Sequence, residues 1–175
     1  SQTHAWYGLY LNGEEQASGN LASVAQARPS ANGQSFTGGM DALSLCRESH
    51  SPGQIQATYE LEDAPATTDY EGLLAYYAME GNASDTTGNG LDGNAFGASP
   101  AMDRNGQTGQ ALALADRNDS LSLPPVAVGD EWSLTTWIKP DLNWIHTHPV
   151  IPLSPDLNLG LTYLPAQSAV QLRLF

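Results

Sequence analysis

Apolar side chains in this chain recur at alternate positions in short runs. Glycine, proline, asparagine or aspartate breaks the run about every eight to fifteen residues. Successive side chains of a strand point to opposite faces, so alternation of this kind builds a sheet with one buried face and gives no stripe for a long helix. The pattern predicts an all-β chain: a two-sheet antiparallel jelly-roll sandwich with at most one short helix. Strands are expected at Trp6–Leu11, Gly39–Cys46, Leu73–Met79, Gln110–Leu114, Ser120–Leu123, Trp132–Ile138, Leu157–Tyr163 and Ala169–Phe175. In "EWSLTTWIKP", Trp132, Leu134 and Ile138 share one face while Thr135 and Trp137 share the other, which predicts a central strand covered on both sides. The one expected helix is Pro52–Tyr59, with Ser51 as N-cap and Pro52 in the first helical position. Residues 64–71, "APATTDYE", interrupt the alternation and read as a linker.

With 175 residues, 41% of them hydrophobic, the chain can build the core of one domain. Six basic side chains against 19 acidic ones leave a net charge of −13, and Lys139 is the single lysine. Such a surface repels nucleic-acid phosphates and anionic membranes, and it suits divalent cations and a salty exterior. No apolar run reaches the length of a membrane span, so membrane insertion is not expected. Residues 1–20 carry no charged-then-apolar signal pattern. Cys46 is alone, so no internal disulfide forms, and it reads as a small buried hydrophobe. Sequons stand at Asn82-Ala83-Ser84 and Asn118-Asp119-Ser120.

Between two apolar runs lies "GNASDTTGNGLDGN", residues 81–94, dense in glycine, asparagine and aspartate. Two readings stand side by side. Calcium takes six to eight oxygen ligands, and Glu80, Asp85 and Asp92 with nearby backbone carbonyls supply oxygens of that kind. Equally, Asp85, Asn89 and Asp92 have the chemistry of local Asx turns that bind nothing.

Residues 73–139 contain an acidic-Gly-Asn step at "EGN", a "D-x-T-G-N-G" turn at "DTTGNG", then "GQALAL" and "WSLTTWIK". In that order these motifs resemble the first half of a laminin-G-like (concanavalin-A-like) jelly-roll domain. Residues 9–19, "LYLNGEEQASG", and 36–59, "FTGGMDALSLCRESHSPGQIQATY", are similar to a hairpin and the closing segment of the same family's second half. The order is reversed: residues 1–63 resemble an ending and residues 72–175 a beginning, joined by 64–71. The chain is then one period of a tandem array, a circular permutant, or a jelly roll completed between subunits. An array or fibre, self-associating with identical or tandem neighbours, is the arrangement expected.

The resemblance implies a structural calcium where the first strand's turn meets the last strand. Carried over, it points to Asp85 and Asp41, with Glu80 and the carbonyls near Asn89 as further ligands. It also implies a non-catalytic extracellular or cell-surface module that is structural or adhesive, with a calcium-dependent carbohydrate-binding module as the alternative.

Other chemistry is sparse. His146 and His148 in "NWIHTHP" read as a solvated loop that lacks further metal ligands. There is no G-x-S-x-G turn. Glu60, Glu62 and Asp63 miss the spacing of a glycosidase pair, so an enzyme is not expected. Trp132 and Trp137 read as core. Trp144, in a polar segment, is the one aromatic expected to meet a glycan.

Overall fold

The computed structural model describes residues 6–11, 14–20, 37–60, 72–116, 119–124, 126, 131–141, 147–154, 157–164 and 169–174. In chain order they form β1 (Trp6–Leu11), β2 (Glu14–Asn20), β3 (Gly38–Cys46), α1 (Pro52–Glu60), β4 (Leu73–Tyr77), β5 (Asn94–Phe96), β6 (Ser99–Met102), β7 (Thr108–Leu114), β8 (Ser120–Ser122), β9 (Ser133–Pro140), β10 (Thr147–Ser154), β11 (Leu157–Leu164) and β12 (Ala169–Leu174). The protein is mostly β, its sheets are antiparallel, and α1 is the one helix among the described residues. The segment 64–71, read as a linker, lies outside the described residues.

β3 organises the main sheet. Along one side it pairs with β9, from Gly38↔Pro140 to Cys46↔Ser133. Along the other, its first residues pair with β7 (Gly38↔Leu114 to Met40↔Leu112) and its last with β4 (Leu43↔Tyr77 to Cys46↔Leu73). β6 continues the sheet outside β7. The central strand is therefore β3; among the described strands β9 pairs with β3 alone. The two faces read in "EWSLTTWIKP" do hold. Leu134 and Ile138 oppose Leu45 and Met40, whereas Thr135 and Trp137 oppose Ser44 and Asp41.

One backbone irregularity makes β3 work. A strand with strict alternation would send Met40 and Leu43 to opposite faces. Instead Ala42 takes a left-handed φ of 47°, and the β3–β9 register slips between Asp41 and Ser44. This bulge re-phases the strand. Met40, Leu43 and Leu45 all enter the core, and Asp41 and Ser44 come together on the other face.

The core face carries Met40, Leu43, Leu45, Ala75, Tyr77, Leu112 and Leu114, with Leu134 and Ile138 packed against them. A second layer covers it: the β5–β8 pair, which brings Ala95 and Leu121, and the segment after β4, which brings Met79, Ala83 and Leu91. Met79 is 1% exposed and has a φ of 62°, so the backbone leaves the strand after Tyr77 instead of continuing to Met79.

On the other face α1 starts as the sequence predicts. The Ser51 amide donates to Gln54 Oε1 at 2.8 Å and the Gln54 amide reaches back to Ser51 Oγ at 3.4 Å, a reciprocal cap.

β1 and β2 form the expected hairpin, with Gln16 as an extra residue between Leu9↔Ala17 and Tyr10↔Glu15. β10, β11 and β12 form a separate three-stranded sheet. β10 corrects the loop reading of "THP": Thr147–Ser154 is a strand paired with β11, although it contains Pro149 and Pro152. Proline lacks an amide donor, which confines it to sheet edges and bulges. β10 lies at the edge of its sheet, and its register slips next to both prolines.

Candidate functional site

The turn after β4 is built around one carboxylate. Asp85 forms an isolated bridge with Tyr77, on the side of β4 away from Leu43. Its Oδ1 accepts the amides of Tyr76 (3.2 Å) and Thr87 (3.0 Å), and its Oδ2 accepts the amide of Leu91 (3.1 Å). Thr87 Oγ1 sits 2.8 and 2.9 Å from the two oxygens and donates to the pair. The Asp85 amide in turn donates to Asp92 Oδ1 at 2.8 Å. Burial pulls the Asp85 carboxyl upward, but the bonds from Thr87, Tyr76 and Leu91 together outweigh it and hold the group below its ordinary 3.8.

The remaining contacts close the turn on the core. Asn89 Nδ2 donates to the Leu74 carbonyl at 2.9 Å, and the Tyr77 hydroxyl donates to the Leu91 carbonyl at 2.7 Å. Gly93 donates to the Ala83 carbonyl at 2.8 Å. A Cβ on Gly93 would lie 2.9 Å from Leu123 Cδ2 and 3.2 Å from Ala83 Cβ, so only glycine lets the two ends approach this closely.

Asp41 belongs to a different cluster. It stands on β3 opposite Trp137, and Asp41 Oδ2 lies 2.6 Å from Arg104 Nη1. Arg104 comes from the turn between β6 and β7. There Asp103 Oδ1 accepts the amides of Asn105 (3.0 Å) and Gln107 (2.6 Å) and so fixes the bend. The Arg104 guanidinium carbon lies 4.7 Å from the Trp137 ring centroid, within cation–π range. Tyr59 of α1 stacks on the same indole, centroids 5.5 Å apart and planes inclined by 24°. Burial raises the Asp41 carboxyl above 3.8 and outweighs the charge and hydrogen bond of Arg104; Asp103 adds to the rise.

The groups expected at a calcium centre, the Asp85, Asp41 and Glu80 side chains with carbonyls near Asn89, are thus not gathered around one point. β4 lies between Asp85 and β3, and Asp41 sits on the β3 face opposite the core. Both Asp85 oxygens are turned toward backbone amides, and Asp41 faces a guanidinium. The Asn89 amide group is directed at Leu74, while Glu80 is exposed with its carbonyl accepting from Asn82 Nδ2 at 3.2 Å. Among the described residues no three His, Cys, Asp or Glu side chains come close enough to hold a metal. This donor set does not fit one calcium shared by Asp41 and Asp85. Of the three residues read as Asx turns, Asp85 accepts the amide two residues on, whereas Asn89 reaches the Leu74 carbonyl and Asp92 accepts the Asp85 amide; Asn82, outside that set, accepts the Ser84 amide at 2.9 Å.

Trp144, His146, Glu62 and Asp63 lie outside the described residues. Glu60 ends α1 and accepts Gln56 Nε2 at 2.7 Å. Cys46 is 1% exposed, and burial, with help from Glu48, pushes its thiol up to about 11.

Sequence reasoning missed Arg104, Thr87 and Tyr77. "DTTGNG" does signal an Asx turn with a Thr two residues on. Nothing local couples Arg104 to Asp41, which lies 63 residues away. Comparison of the chain with protein-family models, curated proteins and solved structures finds no match.

Proposed function

We propose that the chain is a non-catalytic structural or adhesive module of the laminin-G-like jelly-roll kind. It belongs at the cell surface or outside the cell, where its acidic surface suits the surroundings. The reading differs from shared half-domains in one respect: each chain closes its own fold, and the reversed order of the halves is a permutation.

The observation that carries this is the position of β3. The strand from the ending-like half lies between β9 on one side and β4 and β7 on the other, all from the beginning-like half. β3 is thus paired along both sides within one chain and has no free edge at which a second chain would supply its partners. The non-catalytic part draws support from Asp41 and Asp85, two buried or part-buried carboxylates already committed to an ion pair and to backbone amides. Trp137 has one ring face under Arg104 and its stacking partner in Tyr59, an arrangement that favours a structural role over a sugar platform.

Light scattering on the purified chain, with calcium and then with excess chelator, tests the reading. A particle of one chain's mass in both conditions is expected. Large species that break down on chelation would instead mean halves shared between subunits.

A further inference from the structure

The disagreement between the expected metal and the observed donors has a physical content. Asp41 is 8% exposed and needs a positive partner, because a buried carboxylate without one is costly. That partner is already part of the chain. Arg104 Nη1 lies 2.6 Å from Asp41 Oδ2, and the Arg104 side chain is itself only 24% exposed. Its position is over-determined: Asp103 shapes the turn from which it emerges, and Trp137, the register partner of Asp41, lies under its guanidinium. Tyr59 stacks on the indole and so links α1 to the same cluster. A calcium at Asp41 would have to displace a guanidinium held by an ion pair and a cation–π contact.

We propose that Arg104 is the resident counter-cation of Asp41, occupying the place at which the family resemblance puts a divalent ion, and that the folded chain is consequently independent of calcium. The guanidinium joins three separate pieces of chain: the β6–β7 turn, β3 from before residues 64–71, and β9. Asp85 needs no ion either, since backbone amides and Thr87 supply its hydrogen bonds.

Thermal unfolding of the wild-type chain and of three variants tests this. The wild type is expected to melt at the same temperature in calcium and in excess EDTA. Arg104→Gln keeps an amide donor but removes the charge, and is expected to lower Tm by several degrees. Asp41→Asn/Arg104→Gln removes the stranded charge as well, and is expected to recover part of that loss relative to Arg104→Gln. Asp41→Asn alone completes the cycle. A wild-type Tm that falls on chelation overturns the proposal, as does an Arg104→Gln variant that melts like the wild type. If Arg104→Gln does not fold, the wild-type comparison still decides whether the chain depends on calcium.

Discussion

The Tyr77 hydroxyl donates a 2.7 Å hydrogen bond to the backbone carbonyl of Leu91 and thereby fastens the far end of the glycine-rich turn to the strand from which the turn departs. Tyr77 is 1% exposed and is the largest fully buried side chain described, and its hydroxyl reaches out to the half-buried Leu91. Burial, with the charges of Asp85 and Asp92, pushes the phenol up to about 12, so it is a neutral donor at neutral pH.

Tyr77→Phe preserves the ring and removes the donor. The Leu91 carbonyl then loses its buried partner, at a cost of about 1–2 kcal/mol. A urea titration should show a lower midpoint with an unchanged slope, since the exposed surface on unfolding stays the same. An unchanged midpoint would mean that the hydroxyl does not hold the turn.

Asp85→Asn is the sharper test of the same turn. The carboxylate presents two acceptor oxygens to three amides and a hydroxyl, whereas a carboxamide must aim its NH₂ at one of those donors. Bonds to a charged acceptor are the stronger kind, so a loss of about 2–3 kcal/mol at neutral pH is expected. The folded pKa of Asp85 lies below 3.8, so its contribution is complete above that value. It is lost as pH falls through the folded pKa. Asp41 has the opposite sign, because its folded pKa is raised and its ionisation opposes folding as pH climbs past 3.8. Subtracting the variant's stability–pH curve from that of the wild type cancels Asp41 and leaves Asp85. A difference that does not shrink toward acid pH would sink the assignment.

Ala42 sets which side chains of β3 enter the core, through a φ of 47° that β-branched residues strongly resist. Ala42→Gly relieves about 1 kcal/mol of left-handed strain and costs a comparable backbone entropy, so it should be close to neutral. Ala42→Val should cost about 2 kcal/mol or more. Equal melting temperatures for the two variants would place the register change elsewhere than at Ala42.

The elements legible in the sequence are those whose signals are local. Ser51 and Pro52 mark the start of α1 because capping involves residues within one turn. The two faces of β9 follow from its own alternation. β5 and β6 were not legible: "NAF" and "SPAM" are three and four residues long with no apolar rhythm, and they are strands because β8 and β7 lie beside them. β10 was hidden by its two prolines, which sit beside register slips at a sheet edge. At the candidate site the turn chemistry of Asp85 could be read locally. The pairing of Asp41 with Arg104 could not, because it depends on which hairpin the fold sets beside β3.

Cys46 offers a chemical probe of how firmly the end of β3 is covered. It pairs with Leu73 of β4 and with Ser133 of β9, and its side chain stands off the plane of those ladders, so its sulfur is reached only when the cover over that face of the sheet opens. The thiol is 1% exposed and titrates at about 11, so at neutral pH only about one molecule in ten thousand carries the reactive thiolate even if the reagent could enter. Labelling with a thiol-specific aromatic disulfide should therefore be very slow in native buffer and reach one equivalent per chain in denaturant. Between these limits its rate should rise in step with the unfolded population, because opening is then the gate. A thiol that reacts rapidly in native buffer, with the global fold intact, would show that the cover over this end of β3 opens locally, without global unfolding.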